Sequence, residues 1–324
     1  MKRRTFLKTA GEAALLLSAG VLTGCGGNNE TPGSSVPKQD PENPDKEPNQ
    51  GEDGKDDTED GGQDDEKGIR WTYEVTGADT ATLTGYDPSK KVPAGVVVLP
   101  DTVGERYTVT KIGEKAFSYF GNSNGQQITA VEIPDTVTEI EQFAFYRCEH
   151  LSRVKLPGRL KILGEFAFSL CALTSMTLPG SLETTGDYSF QNCKQLAQVE
   201  LGYGIKMINP DTFGGCDALK KIDIPGSVEI ISNHAFYKCA GLETFEYPEG
   251  TYVVDGYALA KCTALRSVTL SSTIAQIFTS AFSEDPLLTD IYYKGTEEQW
   301  NMIRLEDDRA DGKKGLEGIT VHIS

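Results

Sequence analysis

The chain has 324 residues, with 48 Asp and Glu against 31 Lys and Arg, and a formal net charge of −17. That acidity argues against nucleic acid as a partner, because phosphate is bound by clustered basic residues. Length alone suggests about two domains, but a fixed period in the second half overrides that and makes one repeated unit.

The chain opens with "MKRRTFLKTAGEAALLLSAGVLTGC". A basic start precedes an apolar run from Ala13 to Leu22, too short for a stop-transfer helix. The run ends in "LTGC", which resembles the lipobox of bacterial lipoproteins. That resemblance implies a signal peptide over residues 1–25, cleavage before Cys25, and lipid on its thiol. "RRTFLK" also resembles a twin-arginine export signal, with Lys2 where Ser or Thr is usual. An ordinary basic leader explains Arg3 and Arg4 equally.

Residues 26–68 carry 14 acidic and 4 basic residues and one Val as the only large apolar side chain. Such a segment cannot offset its ordering entropy by burial, and its charges repel. It is expected to be a disordered acidic linker that spaces the folded part from a membrane surface. It lacks the ligand spacing of a Ca²⁺ loop.

Residues 69–99 read as three strands, "WTYEVT", "TATLTG" and "VVVL", with a turn at Gly77-Ala78-Asp79. They predict an N-terminal β cap, which a solenoid needs to cover its open first rung. Two departures follow. "DTVGERYTVTKIGEKAF" is longer than its later equivalents, and "SYFGNSNGQQI" carries an insertion and lacks a cysteine.

The repeat then runs to about residue 295. Phe145, Phe168, Phe190, Phe213, Phe236, Leu259 and Phe282 follow one another at steps of 22 or 23 residues. Cys148, Cys171, Cys193, Cys216, Cys239 and Cys262 keep the same steps. Within a repeat, "LSRVKLP" alternates apolar and polar, a short strand with one buried face, and Pro157 ends it. Gly164 reads as a turn. No repeat holds ten residues of helical periodicity. Each repeat is therefore a strand, an extended return and a tight bend carrying the Phe and the Cys. Stacked repeats bury what one cannot bury alone, and the Phe residues should form a spine.

Metal sites want clustered ligands. These cysteines are at least 22 residues apart, and His150, His234 and His322 share no spacing with them. A nucleophile would be singled out beside a base. Buried free thiols are expected, with bridges between adjacent rungs as the alternative.

Beyond 295, Thr296 and Gln299 make a capping box for a short helix that presents Trp300 and Ile303 to the last rung. "ITVHIS" reads as a closing strand with His322 solvated on its outer face. Residues 296–324 are the expected C-terminal cap.

The core "A-F-x-x-C-x-x-L-x-x-V-x-L-P" at 144–157, the opening "WTYEV" at 71–75 and "YYKGTEEQW" at 292–300 together resemble the BspA-like leucine-rich repeat family. The resemblance covers residues 69–324. It implies a β-rich solenoid of about eight rungs of 23 residues over 100–295, displayed on a bacterial surface. Family members are associated with adhesion, matrix-protein binding and co-aggregation. Departures are Gly202 in the Pro slot, Leu259 in the Phe slot and Asp285 in the last Cys slot.

The candidate binding face is the row of outward strand side chains Lys155, Thr177, Glu200, Asp223, Glu246, Thr269 and Tyr292, with Glu132 before them. Its centre, Glu200 to Glu246, is acidic, which suits a basic protein patch or a glycan held by carboxylates. The other reading is a solvated face whose charges prevent sheet association. No G-x-S-x-G, H-E-x-x-H, P-loop or dinucleotide fingerprint occurs. Carboxylates one rung apart need no catalytic cause. A lipid-anchored binding protein with an extracellular protein or glycan partner is expected, not an enzyme, with no cofactor or metal. It would touch the membrane only through its anchor. The alternative is a non-catalytic scaffold for other envelope proteins.

Overall fold

The computed structural model describes residues 60–118, 127–306 and 316–324. The chain divides into two units, Met1–Asp56 and Asp57–Ser324. The first lies outside the described residues, and with it the leader, Cys25 and most of the expected linker. So does most of the insertion at 119–127. No helix among the described residues is long and apolar enough to cross a membrane.

The second unit begins with β1 (Asp60–Asp64), β2 (Arg70–Val75), β3 (Thr80–Tyr86), β4 (Gly95–Val98), β5 (Thr102–Val103) and β6 (Tyr107–Ile112). There follow β7 (Ile128–Glu132), β8 (Glu139–Ile140), β9 (Arg153–Lys155), β10 (Ile162–Leu163), β11 (Ser175–Leu178), β12 (Gln198–Leu201), β13 (Met207–Ile208) and β14 (Ile230–Ile231). The chain ends with β15 (Thr244–Glu246), β16 (Val253–Val254), β17 (Ser267–Leu270), β18 (Gln276–Phe278), β19 (Asp290–Tyr293), α1 (Glu297–Trp300), β20 (Arg304–Glu306) and β21 (Thr320–Ile323).

Each rung contributes to two ladders. The front one runs β4-β7-β9, then β11-β12, then β15-β17-β19-β21, all parallel. The back one runs β1-β2-β3-β6-β8-β10, then β13-β14, then β16-β18-β20, and the bridge of Thr184 with Met207 adds a rung before β13. Alternation sends Val131, Met176, Phe245, Val268 and Ile291 inward from the front, and Ile140, Ile208, Ile231, Val254 and Ile277 inward from the back. This is the β-rich solenoid the period predicts.

The cap differs from expectation in two ways. The described residues begin at β1, inside the segment read as linker. Its DGGQD backbone pairs with β2 from Asp60↔Glu74 to Asp64↔Arg70. Gly62 leaves room for the Arg70 side chain, which a Cβ would meet at 2.5 Å, and Arg70 pairs with Asp64 at 3.4 Å. Backbone pairing needs no apolar side chain, so composition gave no sign of it. Secondly, β4 belongs to the front ladder as its first strand, although residues 69–99 were read wholly as cap. The overlong "DTVGERYTVT" segment is a hairpin, β5 against β6. Gly104 and Glu105 at its tip both have positive φ, 59° and 58°, as the type I′ turn closed by Arg106 N–H donating to Val103 O requires.

The third side of each rung is the bend. Rings stack along it: Phe117–Phe145 at 5.1 Å, Phe145–Phe168 at 5.0 Å, Phe168–Phe190 at 5.8 Å, Phe190–Phe213 at 5.6 Å and Phe213–Phe236 at 5.5 Å. Leu259 fills its ring slot without exposure. The backbone joins the rungs here too, with Phe145 N–H donating to Ala167 O and Phe190 N–H to Thr212 O. Two residues per bend take the left-handed conformation, as at Phe143 and Arg147, Phe166 and Leu170, Tyr188 and Asn192. Each costs about 1 kcal/mol or more for a non-glycine residue, and the rung-to-rung bonds hold it. Gly164 is not a turn. A Cβ there would lie 2.5 Å from Gln142 N of the rung below, so the glycine is a close-approach residue.

All six repeat cysteines are free and buried. Each thiol donates to the carbonyl of the spine residue one rung earlier: Cys171 to Phe145 at 3.1 Å, Cys193 to Phe168 at 3.1 Å, Cys239 to Phe213 at 3.1 Å. Burial pushes Cys193 and Cys239 up to about 12, so these thiols are inert. In the last slot the bond is reversed, and Cys262 N–H donates to Asp285 Oδ1 at 2.6 Å.

At the far end α1 carries the capping box of Thr296 and Gln299. Trp300 lies 5.4 Å from Tyr293. Ile303 falls after the helix, yet it and Trp300 both pack on the core.

Candidate functional site

The front ladder projects every second side chain outward, because strand side chains alternate. Register places Glu132 beside Lys155, Thr177 beside Glu200, Glu246 beside Thr269, and Thr269 beside Tyr292. Lys155, Thr177, Glu200, Asp223, Glu246 and Tyr292 are exposed and Thr269 is half-buried. The row is interrupted in the middle. Lys221–Ile224 form no strand, although Ile222 stays buried in its usual slot. Where the period calls for a strand, the ladder opens between β12 and β15.

That opening is a groove of about 370 Å³ lined by Lys221, Asp223, Thr244, Glu246, Glu249 and Thr269 over a floor that includes Phe245. Of the candidate residues, it brings together Asp223, Glu246 and Thr269. Thr177 and Glu200 form a separate pair, with the Thr177 hydroxyl donating to Glu200 Oε2 at 3.1 Å. Lys155 sits on the sheet that ends at β9.

Two lysines lie in the acidic centre. Lys221 pairs with Asp223 at 2.7 Å, and Lys294 reaches back two rungs to Glu246 at 2.6 Å. Lys221 was legible as a flanking position. Lys294 was not, because its contact spans 48 residues. Such exposed pairs contribute little to stability, so both carboxylates can exchange partners at low cost.

His322 is not simply solvated. It stacks on Tyr292 at 4.7 Å and contacts Asp290 Oδ1 through Nε2 at 2.7 Å. Thr289 donates to the other oxygen at 2.7 Å. The Thr289 hydroxyl and the His322 ring hold Asp290 below the usual carboxylate range. Tyr292 keeps 45% of its surface exposed, an aromatic edge at one end of the face. Among the described residues no group of three or more His, Cys, Asp or Glu is placed to hold a metal ion.

The sequence model of the BspA type leucine rich repeat region matches residues 110–240 and 186–302, in six copies. No curated protein matches the chain. Among solved structures, it is similar to a leucine-rich repeat protein from Bacteroides ovatus, with 22% identity, 78% of this chain and 77% of that one covered, and a TM-score of 0.47. A leucine-rich repeat protein of T. pallidum shares 23% identity over 77% of this chain and 96% of its own, with a TM-score of 0.47. A leucine rich cell surface protein from Faecalibacterium prausnitzii shares 21% identity over 76% and 98%, with a TM-score of 0.36.

Proposed function

The chain belongs to the BspA type leucine-rich repeat family, and from that premise we propose that it is an exported, lipid-anchored surface protein that binds a protein or glycan through its front sheet. The groove at Lys221–Thr269 carries this reading. A regular ladder would present a flat, self-satisfied face. This one breaks between β9 and β11 and again between β12 and β15, and the second break gathers Asp223, Glu246 and Glu249 with two lysines around it. Carboxylates and hydroxyls at rung spacing suit a basic protein patch or the hydroxyls of a sugar. Cys25 is the proposed site of lipidation, and the acidic segment after it is the spacer.

The test is a binding screen of the purified chain against matrix proteins, glycans and whole bacterial cells. Saturable binding to one of these is expected, weakening with salt as rim electrostatics do. No binding to any of them would favour the scaffold reading, with the partner among proteins of the same envelope.

A further inference from the structure

The back sheet shows a pattern that binding through the front does not use. On four successive rungs the residue just before the back-sheet strand or bridge position is charged, Lys161, Glu183, Lys206 and Glu229, and all four are exposed. Backbone bonds fix the last three as neighbours: Lys206 N–H donates to Glu183 O and Glu229 N–H to Lys206 O. Beside them runs the row Ile162, Thr184, Met207 and Ile230, apolar at every rung but that of Thr184, with Ile162 51% and Ile230 37% exposed. Register confirms the stripe at Thr184↔Met207 and Met207↔Ile230.

The order of these charges is complementary to its own reverse. A twofold axis parallel to the strands, between the Glu183 and Lys206 rungs, flips the sheet and reverses rung order. It sets Lys161 against Glu229 of a second copy, Glu183 against Lys206, and Ile162 against Ile230. The other in-plane axis, along the ladder, would set each charge against itself. Within one copy the alternation achieves little, since Lys206 and Glu229 stand 3.8 Å apart with both side chains more than half exposed. We propose that the back sheet is a self-association face, on which two copies pack through the Ile162–Ile230 stripe about this single twofold axis. Such an interface is isologous and closed. Four rungs at about 4.8 Å each span only about 20 Å, the low end of specific interfaces, so the dimer is weak in solution. It leaves both front sheets open, and a pair on one surface would bind bivalently.

The experiment is sedimentation velocity of the full chain against two charge variants. Lys161→Glu with Lys206→Glu makes the row wholly acidic, and Glu183→Lys with Glu229→Lys makes it wholly basic. The unaltered chain should show a concentration-dependent monomer–dimer equilibrium. Each variant alone should dimerise at least about tenfold more weakly, and an equimolar mixture of the two should recover dimer. Unchanged melting verifies that the variants fold. Ile162→Asp, which leaves the four charges in place, should also weaken the dimer and gives a second readout. A chain that stays monomeric at about 1 mM, self-association that survives both charge reversals, or a mixture that stays monomeric would overturn the proposal. Failure here leaves the front-sheet reading standing, because that reading is tested by partner binding.

Discussion

Replacing Phe190 by Ala should lower stability by about 3 to 5 kcal/mol, the range for deleting a buried aromatic ring. Phe190 has no exposed surface and lies between Phe168 at 5.8 Å and Phe213 at 5.6 Å. Natural domains have only about 5 to 15 kcal/mol in total. Solenoid stability is close to a sum of rungs and their interfaces, so a hole at the middle rung also uncouples its neighbours. Denaturant unfolding followed by backbone hydrogen exchange should show the midpoint fall and the single transition split. Rungs around Phe145 and rungs around Phe236 would then open separately. Phe166→Ala, on the half-buried outer ring ladder, should cost less. An unchanged melt of the Phe190 variant would contradict the spine as the element that couples the rungs.

Stability should fall as pH rises from about 4 to about 8. Burial holds the Asp285 carboxyl up to about 8, with Glu284 adding to the rise, and burial holds Asp211 up to about 7. In the unfolded chain both carboxyls ionise near pH 4. Within the window the folded chain therefore binds more protons than the unfolded one, so the stabilisation is complete below pH 4 and is lost as pH climbs through the folded values. The slope is about 1.4 kcal/mol per pH unit for each extra proton held. Asp285→Asn should flatten the upper part of the profile and raise the melting temperature at pH 8. Asp285→Cys should do the same, because a thiol in that slot can donate upstream as the other six do. Thermal melts of the three proteins across pH 4 to 9 decide it. A flat profile in the unaltered chain, or a variant that keeps the full slope, would contradict a buried, protonated Asp285.

The repeated part of this protein was legible because its signals recur. The Phe and Cys steps alone located the spine and the buried thiol ladder, and the alternation in "LSRVKLP" told which side chains face out. What escaped reading has no repeated or apolar signature. β1 forms from a Gly- and Asp-rich stretch because its pairing is through backbone and Arg70 crosses Gly62. The left-handed residues of each bend, such as Phe166 and Tyr188, are held by bonds to the next rung, and their residue types do not betray them. The loss of strand at Lys221–Ile224 is invisible too, since "LKKIDIP" keeps the alternation of its neighbours. The candidate row lies along the exposed side of the front sheet, but the groove that gathers part of it depends on that lost strand. His322 and Lys294 find their partners across 32 and 48 residues, distances at which local pattern carries no information.

The central claim is that the acidic middle of the front sheet meets the partner. The most direct test compares partner binding by the unaltered chain with binding by one carrying Glu200→Ser, Asp223→Ser and Glu246→Ser. All three side chains are exposed, so the fold should survive. Loss of at least about tenfold in affinity with an unchanged melt is the expected result. Full affinity in the triple variant would contradict the claim and move the site to the loops or the caps.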